Sequence, residues 1–153
     1  MITLAALNGF LGKSISQVCP NGYAAATDNH CAHFVSHAMG YTFGVTCRSM
    51  VTGTGAAANI RVQEVFPRCL QVGTWASRPA TVTDCLVFIT NASNVNLAAK
   101  TMQNVPRKHV GIFVGGFVWH YSNSHSQVVK QTPADFSHHY AAPDNAMFFG
   151  TVL

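Results

Sequence analysis

Ionic residues are scarce in this chain. Only 9% of its 153 residues are charged, with five acidic residues against nine lysines and arginines. The net charge of +4 at pH 7 comes without any run of Lys or Arg, which argues against a dedicated nucleic-acid binder, although it would suit an anionic polymer. Hydrophobic residues make up 48%, as in an ordered globular chain, and the length predicts one domain over residues 1–153.

Long hydrophobic runs and a leader pattern are missing as well. No apolar stretch approaches the roughly 20 residues that a membrane span needs. The start, "MITLAALNGFLGKSI", has no basic residue before its short apolar part and no clear small-residue cleavage site. We interpret it as an amphipathic first helix, from about Thr3 to Leu11. We therefore expect a protein made in the cytoplasm, without a membrane span, that leaves the cell only by a non-classical route.

Paired cysteine motifs are also absent. None of the cysteines forms a C-x-x-C pair, which argues against a zinc ribbon. An odd number fits a reduced protein, and it equally fits four paired cysteines with one free thiol, for which three pairings are possible. The sequence leaves both open for its five cysteines, Cys19, Cys31, Cys47, Cys69 and Cys85.

Helical patterns precede strand patterns along the chain. "HCAHFVSHAMG" has apolar residues at helical spacing, with Asp28 or Asn29 as a suitable N-cap and Gly40 as the stop. After the loop "CRSMVTGTGAAAN", "IRVQEVFPRC" predicts a short helix that ends near Pro67. "DCLVFIT", "SQVVKQ" and "NAMFFGTVL" predict strands, and "NASNVNLAAKTMQNVPRK" a polar connector. This order indicates an α+β protein with N-terminal helices packed on a central antiparallel sheet.

A hairpin with two histidines follows that connector. In "KHVGIFVGGFVWHYSNS", Gly115-Gly116 is typical of a type I′ turn, whose two central positions need positive φ. Because side chains alternate along a strand, one face of the hairpin is then apolar or aromatic. The other carries His109, Gly111 and Phe113 opposite Val118, His120 and Ser122. His109 and His120 become diagonal neighbours, so two imidazoles could form one site, although each could also be a buried histidine bonded to backbone.

Cys31 has the best surroundings for a reactive thiol. In the first turn of a helix, the unpaired N–H groups and the helix dipole favour a thiolate, and a nearby histidine could take its proton. The alternative is a small buried residue. His33 and His37 form an i, i+4 pair that could bind metal, but no third ligand lies near them in sequence. We therefore expect no metal and no cofactor, with His33 packed beside the helix and His37 pointing to solvent.

Three blocks of the sequence resemble the NlpC-type cell-wall cysteine peptidases, which are papain-like enzymes of peptidoglycan turnover. "HCAHFV" is similar to their nucleophile block, "TDCLVFI" to their Gly-Asp-Leu-Val-Phe-Phe strand, and "HVGIFVGGFVWH" to their histidine hairpin. The blocks span most of the chain in the family's order. The resemblance implies a papain-like fold, with Cys31 as nucleophile, His109 as general base and His120 as the residue that orients it.

The nucleophile block departs from the family at three positions. His30, Ala32 and His33 stand where the family has Asp, Ser and Gly. "NHCAHFV" is also similar to the Asn-Cys block of CHAP amidases and to the "NCEHF" block of lecithin:retinol acyltransferase-like proteins, in which the histidines precede the cysteine. A family tyrosine upstream of the nucleophile helps to bind the oxyanion. Tyr23 and Ala32 are the candidates for oxyanion or substrate contacts, together with the Cys31 backbone N–H.

The resemblance implies an amidohydrolase that cuts peptide amides in peptidoglycan stems or crosslinks. A single small domain of this kind resembles a phage-type lysin or an amidase toxin of a type VI secretion system, and we favour the toxin, a monomer acting in the periplasm that an immunity protein could bind. Two alternatives stay open. One is a thiol-dependent acyltransferase or a hydrolase of another amide, and the other is an inactive binding module of the same fold.

Overall fold

The structure is a computed structural model that describes residues 2–152. Two compact units can be distinguished: the chain up to Arg61 together with Trp119–Lys130, and Val62–Val118 together with the chain from Gln131 onward. The single domain expected for residues 1–153 stays a prediction. None of the helices in residues 2–152 has the length and apolar character that crossing a membrane requires.

Helices dominate the first part of the chain and strands the rest, as the sequence predicts for an α+β protein. The helices are α1 (Leu4–Asn8), α2 (Ile15–Val18), α3 (Cys31–Met39), α4 (Cys47–Met50), α5 (Val62–Val65) and α6 (Pro133–Phe136). The strands are β1 (Val72–Thr74), β2 (Asp84–Asn91), β3 (Val95–Asn96), β4 (Thr101–Met102), β5 (Lys108–Val114), β6 (Phe117–Ser122), β7 (Gln127–Gln131) and β8 (Asn145–Gly150).

Six strands form one antiparallel sheet in the order β1-β8-β2-β5-β6-β7, and β3 pairs with β4 separately. The central strand β2 is paired along its length, with Val87 opposite Gly111 of β5 on one side and opposite Phe149 of β8 on the other. Six successive residues of β2 are buried. The continuous apolar run "CLVFI" therefore reflects a strand covered on both faces. The α+β class and the antiparallel sheet are confirmed.

The hairpin turn is confirmed where the sequence predicts it. Gly115 and Gly116 connect β5 to β6 with φ of 59° and 89°, the left-handed backbone that favours glycine. The predicted alternation agrees with the core of the second unit, in which Phe113 and Val118 belong to one apolar cluster. Its members are Cys85, Val87, Ile89, Phe113, Val118, Phe136 and Phe149.

The helix α3 matches its predicted extent but not its predicted cap. Gly40 ends it in the left-handed conformation at φ 77°, as expected. His30 is the N-cap residue and makes no side-chain capping bond, so the prediction of Asp28 or Asn29 as N-cap is wrong. Asn29 still contributes, because its Oδ1 accepts the backbone N–H of Cys31 at 3.0 Å.

Several short elements differ from the prediction. The first helix is only Leu4–Asn8, with Thr3 as its N-cap. The segment read as a loop after Thr46 contains α4, and the polar connector contains the β3–β4 pair. The α-helical part of "IRVQEVFPRC" ends at Val65, and Pro67 lies in a following 3-10 turn. The helices α2 and α6 and the strand β1 were not predicted, and each of them has just three or four residues.

Candidate functional site

The candidate nucleophile Cys31 is the first residue of α3 and is 1% exposed. The first-turn position is the one that the sequence predicts, and it places the thiol beside the positive end of the helix dipole. The Cys31 backbone N–H donates to Asn29 Oδ1. The proposed oxyanion contact of that N–H would therefore require the exposed Asn29 side chain to give way.

A second asparagine fixes the chain just before Cys31. Asn123 Oδ1 accepts the backbone N–H of His30 at 3.2 Å, and Asn123 Nδ2 donates to the carbonyl of Asp28 at 2.6 Å. Asn123 directly follows β6, so this strand end is bonded to the backbone on both sides of Asn29, just before α3. Asn123 was not predicted as a site residue, because an isolated Asn after a strand is an ordinary turn signal.

Tyr23 lies against the histidines that flank Cys31. Its ring makes edge-to-face contacts with His30 at 5.6 Å and His33 at 5.4 Å between centroids. Burial raises the pKa of Tyr23, and the Asp28 carboxylate, which accepts the hydroxyl proton in a hydrogen bond, raises it further. Tyr23 thus stays a protonated donor aimed at Asp28. Ala32, the other weak candidate, is 1% exposed and offers only a methyl group and its backbone.

The candidate general base His109 lies in β5, opposite Ile89 of β2, and is 1% exposed. Its ring is stacked on His139, with centroids 3.7 Å apart and planes at 15°. The centroid of the Phe136 ring lies 5.6 Å from that of the His109 ring. His109 is therefore a buried imidazole set among aromatic rings within the second unit.

His120, the candidate orienting residue, lies in β6 and is also 1% exposed. Cys31 and His120 fall in the first compact unit and His109 in the second. A common site of Cys31, His109 and His120 stays a prediction.

His139 was missed by the sequence analysis. It lies just after α6, in "DFSHHYAAP", where no periodic pattern marks a core position. Yet the ring is half-buried, and burial lowers its pKa below the usual histidine value. Its burial and its ring contacts with His109 and Tyr140 distinguish it from the exposed His138.

Histidines form a row along α3. His30 and His33 have ring centroids 5.4 Å apart, and His33 and His37 5.0 Å apart. His37 is half-buried, and its Nε2 lies 3.9 Å from the sulfur of Cys47, so the prediction that it points to solvent is wrong. Burial lowers the pKa of His33 to about 3, with smaller contributions from His37 and His30.

Two further ligand-type residues complete this row, although none was expected near it. One ligand atom from each of four residues lies within 4.8 Å of all the others: Cys19, His33, His37 and Cys47. The two cysteines come from other segments, at the end of α2 and the start of α4. No spacing motif joins them to the histidines, so pattern reading could not find the set.

All five cysteines are free and buried. Two of them have thiols whose pKa is strongly raised by burial. Burial raises the pKa of both Cys69 and Cys85 to about 12, although Lys100 lowers that of Cys69 and Arg78 that of Cys85. These two are packed in the second unit.

Comparison of the chain with protein-family models finds no match, and comparisons with curated proteins and with solved structures find none either.

Proposed function

We propose that the protein is a cysteine-dependent amidohydrolase that cleaves peptide amide bonds of peptidoglycan, with Cys31 as nucleophile, His109 as general base and His120 as the residue that orients it. The observation that carries the proposal is the position of Cys31 at the first residue of a nine-residue helix. The unpaired N–H groups and the dipole at a helix start favour negative charge on a thiolate that lies there.

The proposed reaction has two steps. The His109 imidazole accepts the Cys31 proton, and the thiolate attacks the amide carbonyl; the C–N bond breaks as the imidazolium returns the proton to the leaving amine. Water, deprotonated by His109, then attacks the thioacyl carbon and releases a carboxylic acid and the thiol. His120 would hold His109 in the tautomer that faces the thiol. The mechanism requires these three side chains to meet when substrate is bound.

The substrate assignment comes from the resemblance to the NlpC-type, papain-like peptidases, and the charge is consistent with it. A net charge of +4 would favour approach to the anionic cell wall. We propose action in the periplasm after delivery by a non-classical route, as an antibacterial effector with an immunity protein as partner or as a lysin.

The test is digestion of purified muropeptides, analysed by mass spectrometry, with the wild type, Cys31→Ala and, as a matched control, His138→Ala at an exposed position. Hydrolysis gives two products whose masses sum to the substrate plus one water. We expect cleavage by the wild type and the control and at least a roughly 10³-fold loss in Cys31→Ala. Products extended by an acceptor amine would indicate acyl transfer instead. No change in any muropeptide would overturn the substrate assignment, and equal cleavage by Cys31→Ala would overturn the nucleophile.

A further inference from the structure

We propose that Cys19, His33, His37 and Cys47 bind a zinc ion as a closed structural site within the first unit. The four ligand atoms already lie within 4.8 Å of one another. Zinc bonds of about 2.3 Å to sulfur and about 2.0–2.1 Å to nitrogen place tetrahedral ligand atoms roughly 3.3–3.8 Å apart. Side-chain shifts of about an ångström would therefore close the four atoms around an ion. The 3.9 Å between His37 Nε2 and Cys47 Sγ is close to such an edge.

The hydrogen bonds of His33 leave the correct nitrogen for the metal. His30 Nε2 lies 2.8 Å from the carbonyl of Ala25, which can only accept, so this nitrogen carries the proton. His30 Nδ1 can then accept a hydrogen bond, and we assign His33 Nδ1–H as its donor at 3.2 Å. His33 Nε2 is consequently a bare lone pair. It is buried in a residue that is 0% exposed, and it has no hydrogen-bond partner.

An unpartnered buried nitrogen normally costs free energy, because it has lost its hydrogen bonds to water. A metal bond to Nε2 removes that cost. The hydrogen bonds that connect Ala25, His30 and His33 have a form that is common in metal sites. There, the second ring nitrogen of a ligand histidine donates to an acceptor that fixes the tautomer and orientation of the ring.

Asn21 directs N–H groups at the sulfurs of both cysteines. Its backbone N–H lies 3.4 Å from Cys19 Sγ, and its Nδ2 lies 3.5 Å from Cys47 Sγ. N–H donors directed at both sulfurs stabilise thiolates, which are the form that binds zinc. Asn21 is 3% exposed and is itself held by Gly55 N–H and the Ala56 carbonyl. An added Cβ at Gly53 would lie 2.3 Å from Asn21 Oδ1, so the loop packs closely on this residue.

A metal would join three segments of the first unit. Cys19 caps the end of α2, the histidines lie on α3, and Cys47 begins α4. The apolar cluster around the two cysteines is small, with Ala58 as its third buried member and Tyr23 and Ile60 beside it. Small loop-rich regions of this kind commonly depend on a metal for stability.

The ligand set favours zinc in a structural role. Two thiolates and two imidazoles in a tetrahedron suit Zn²⁺, and four protein ligands leave no position for water or substrate. Binding would release the two thiol protons and form two Zn–S and two Zn–N bonds. This site is separate from the proposed nucleophile, so metal binding and peptidoglycan cleavage can fail independently.

The test measures metal in the whole chain, purified under reducing conditions and passed over a chelating resin. We expect about one zinc per chain by elemental mass spectrometry. After chelation, added Co²⁺ should give the intense visible d–d bands of a tetrahedral site and near-ultraviolet thiolate charge-transfer bands. The variants Cys47→Ser and His37→Asn should lose the zinc, and Asn21→Leu should weaken binding by about 10–100-fold. The matched controls Cys31→Ala, on the same helix, and Cys85→Ala should keep it.

Two results would overturn the proposal: a wild type that holds no zinc and gives only the weak spectrum of octahedral Co²⁺, or controls that lose metal as fully as the ligand variants. The wild-type cobalt spectrum does not depend on how any variant folds. A Cys19–Cys47 disulfide that persists under reducing conditions would also contradict the site, because a disulfide removes both thiolates.

Discussion

The imidazole of His139 stacks on that of His109, with ring centroids 3.7 Å apart. Burial lowers the pKa of His139. The half-buried His139 is thus neutral in the folded protein at neutral pH. The pair gives the second unit a pH-sensitive contact next to the candidate general base.

The first prediction concerns the pH dependence of stability. Because the pKa of His139 is lower in the folded than in the unfolded chain, its contribution is present above the unfolded value of about 6.5 and is lost as pH falls below it. His139→Phe keeps a stacking ring that cannot titrate. Urea unfolding of this variant at pH about 7.5 and about 5 should show a smaller loss of stability than the wild type. His138→Phe, at the exposed neighbouring position, is the control. An equal loss of stability between the two pH values in all three proteins would contradict the account.

The second prediction concerns thiol reactivity. With pKa values of about 12, Cys69 and Cys85 should resist iodoacetamide at pH about 8 in the folded protein and react after denaturation. Peptide mapping by mass spectrometry measures each cysteine separately. Native labelling of Cys69 or Cys85 as fast as that of a free model thiol would show that burial does not protect them.

The third prediction tests the hairpin turn. Gly116 has φ of 89°, and an added Cβ would have nothing within 4 Å, so a substitution there acts through the backbone alone. Gly116→Val should lower the free energy of unfolding by about 1–2 kcal/mol, whereas Gly116→Asn should cost less, because Asn tolerates the left-handed region. Urea denaturation of the two variants provides the comparison. Equal stabilities would mean that the turn does not hold this φ in solution.

The fourth prediction concerns Asn123 as a positioning residue for Cys31. Asn123→Asp keeps an acceptor for the His30 N–H but removes the donor to the Asp28 carbonyl. We expect a stability loss of about 1–3 kcal/mol and faster amide hydrogen exchange at the start of α3. Ser126→Ala, at an exposed position nearby on the same turn, is the control for a purely local change. Unchanged exchange at His30 and Cys31 in Asn123→Asp would remove this role.

The elements that could be predicted have a clear pattern of apolar residues or a turn residue that the backbone conformation requires. The buried run of β2, the helix α3 with its Gly40 stop, and the Gly115-Gly116 turn all carry such signals. The helices α2, α4 and α6 have four residues each and begin with local Ser or Thr caps, so they show no apolar period over which to detect them.

The candidate site was predictable only in its separate parts. The first-turn position of Cys31 follows from the helix pattern, and burial of His109 and His120 follows from the apolar strands around them. The His109–His139 contact and the approach of Cys19 and Cys47 to the α3 histidines depend on tertiary packing of loops. Loops carry no periodicity from which such contacts could be inferred.

Alkylation of Cys31 by iodoacetamide, measured by peptide mapping as a function of pH, tests the central claim most directly. An activated thiolate should react near pH 6–7, well below the usual cysteine pKa of about 8.5, and His109→Ala should shift the profile upward or abolish the reaction. His138→Ala should leave it unchanged. If Cys31 reacts only above about pH 8.5, with the same profile in wild type and His109→Ala, then Cys31 is an ordinary buried thiol and the proposed enzyme is contradicted.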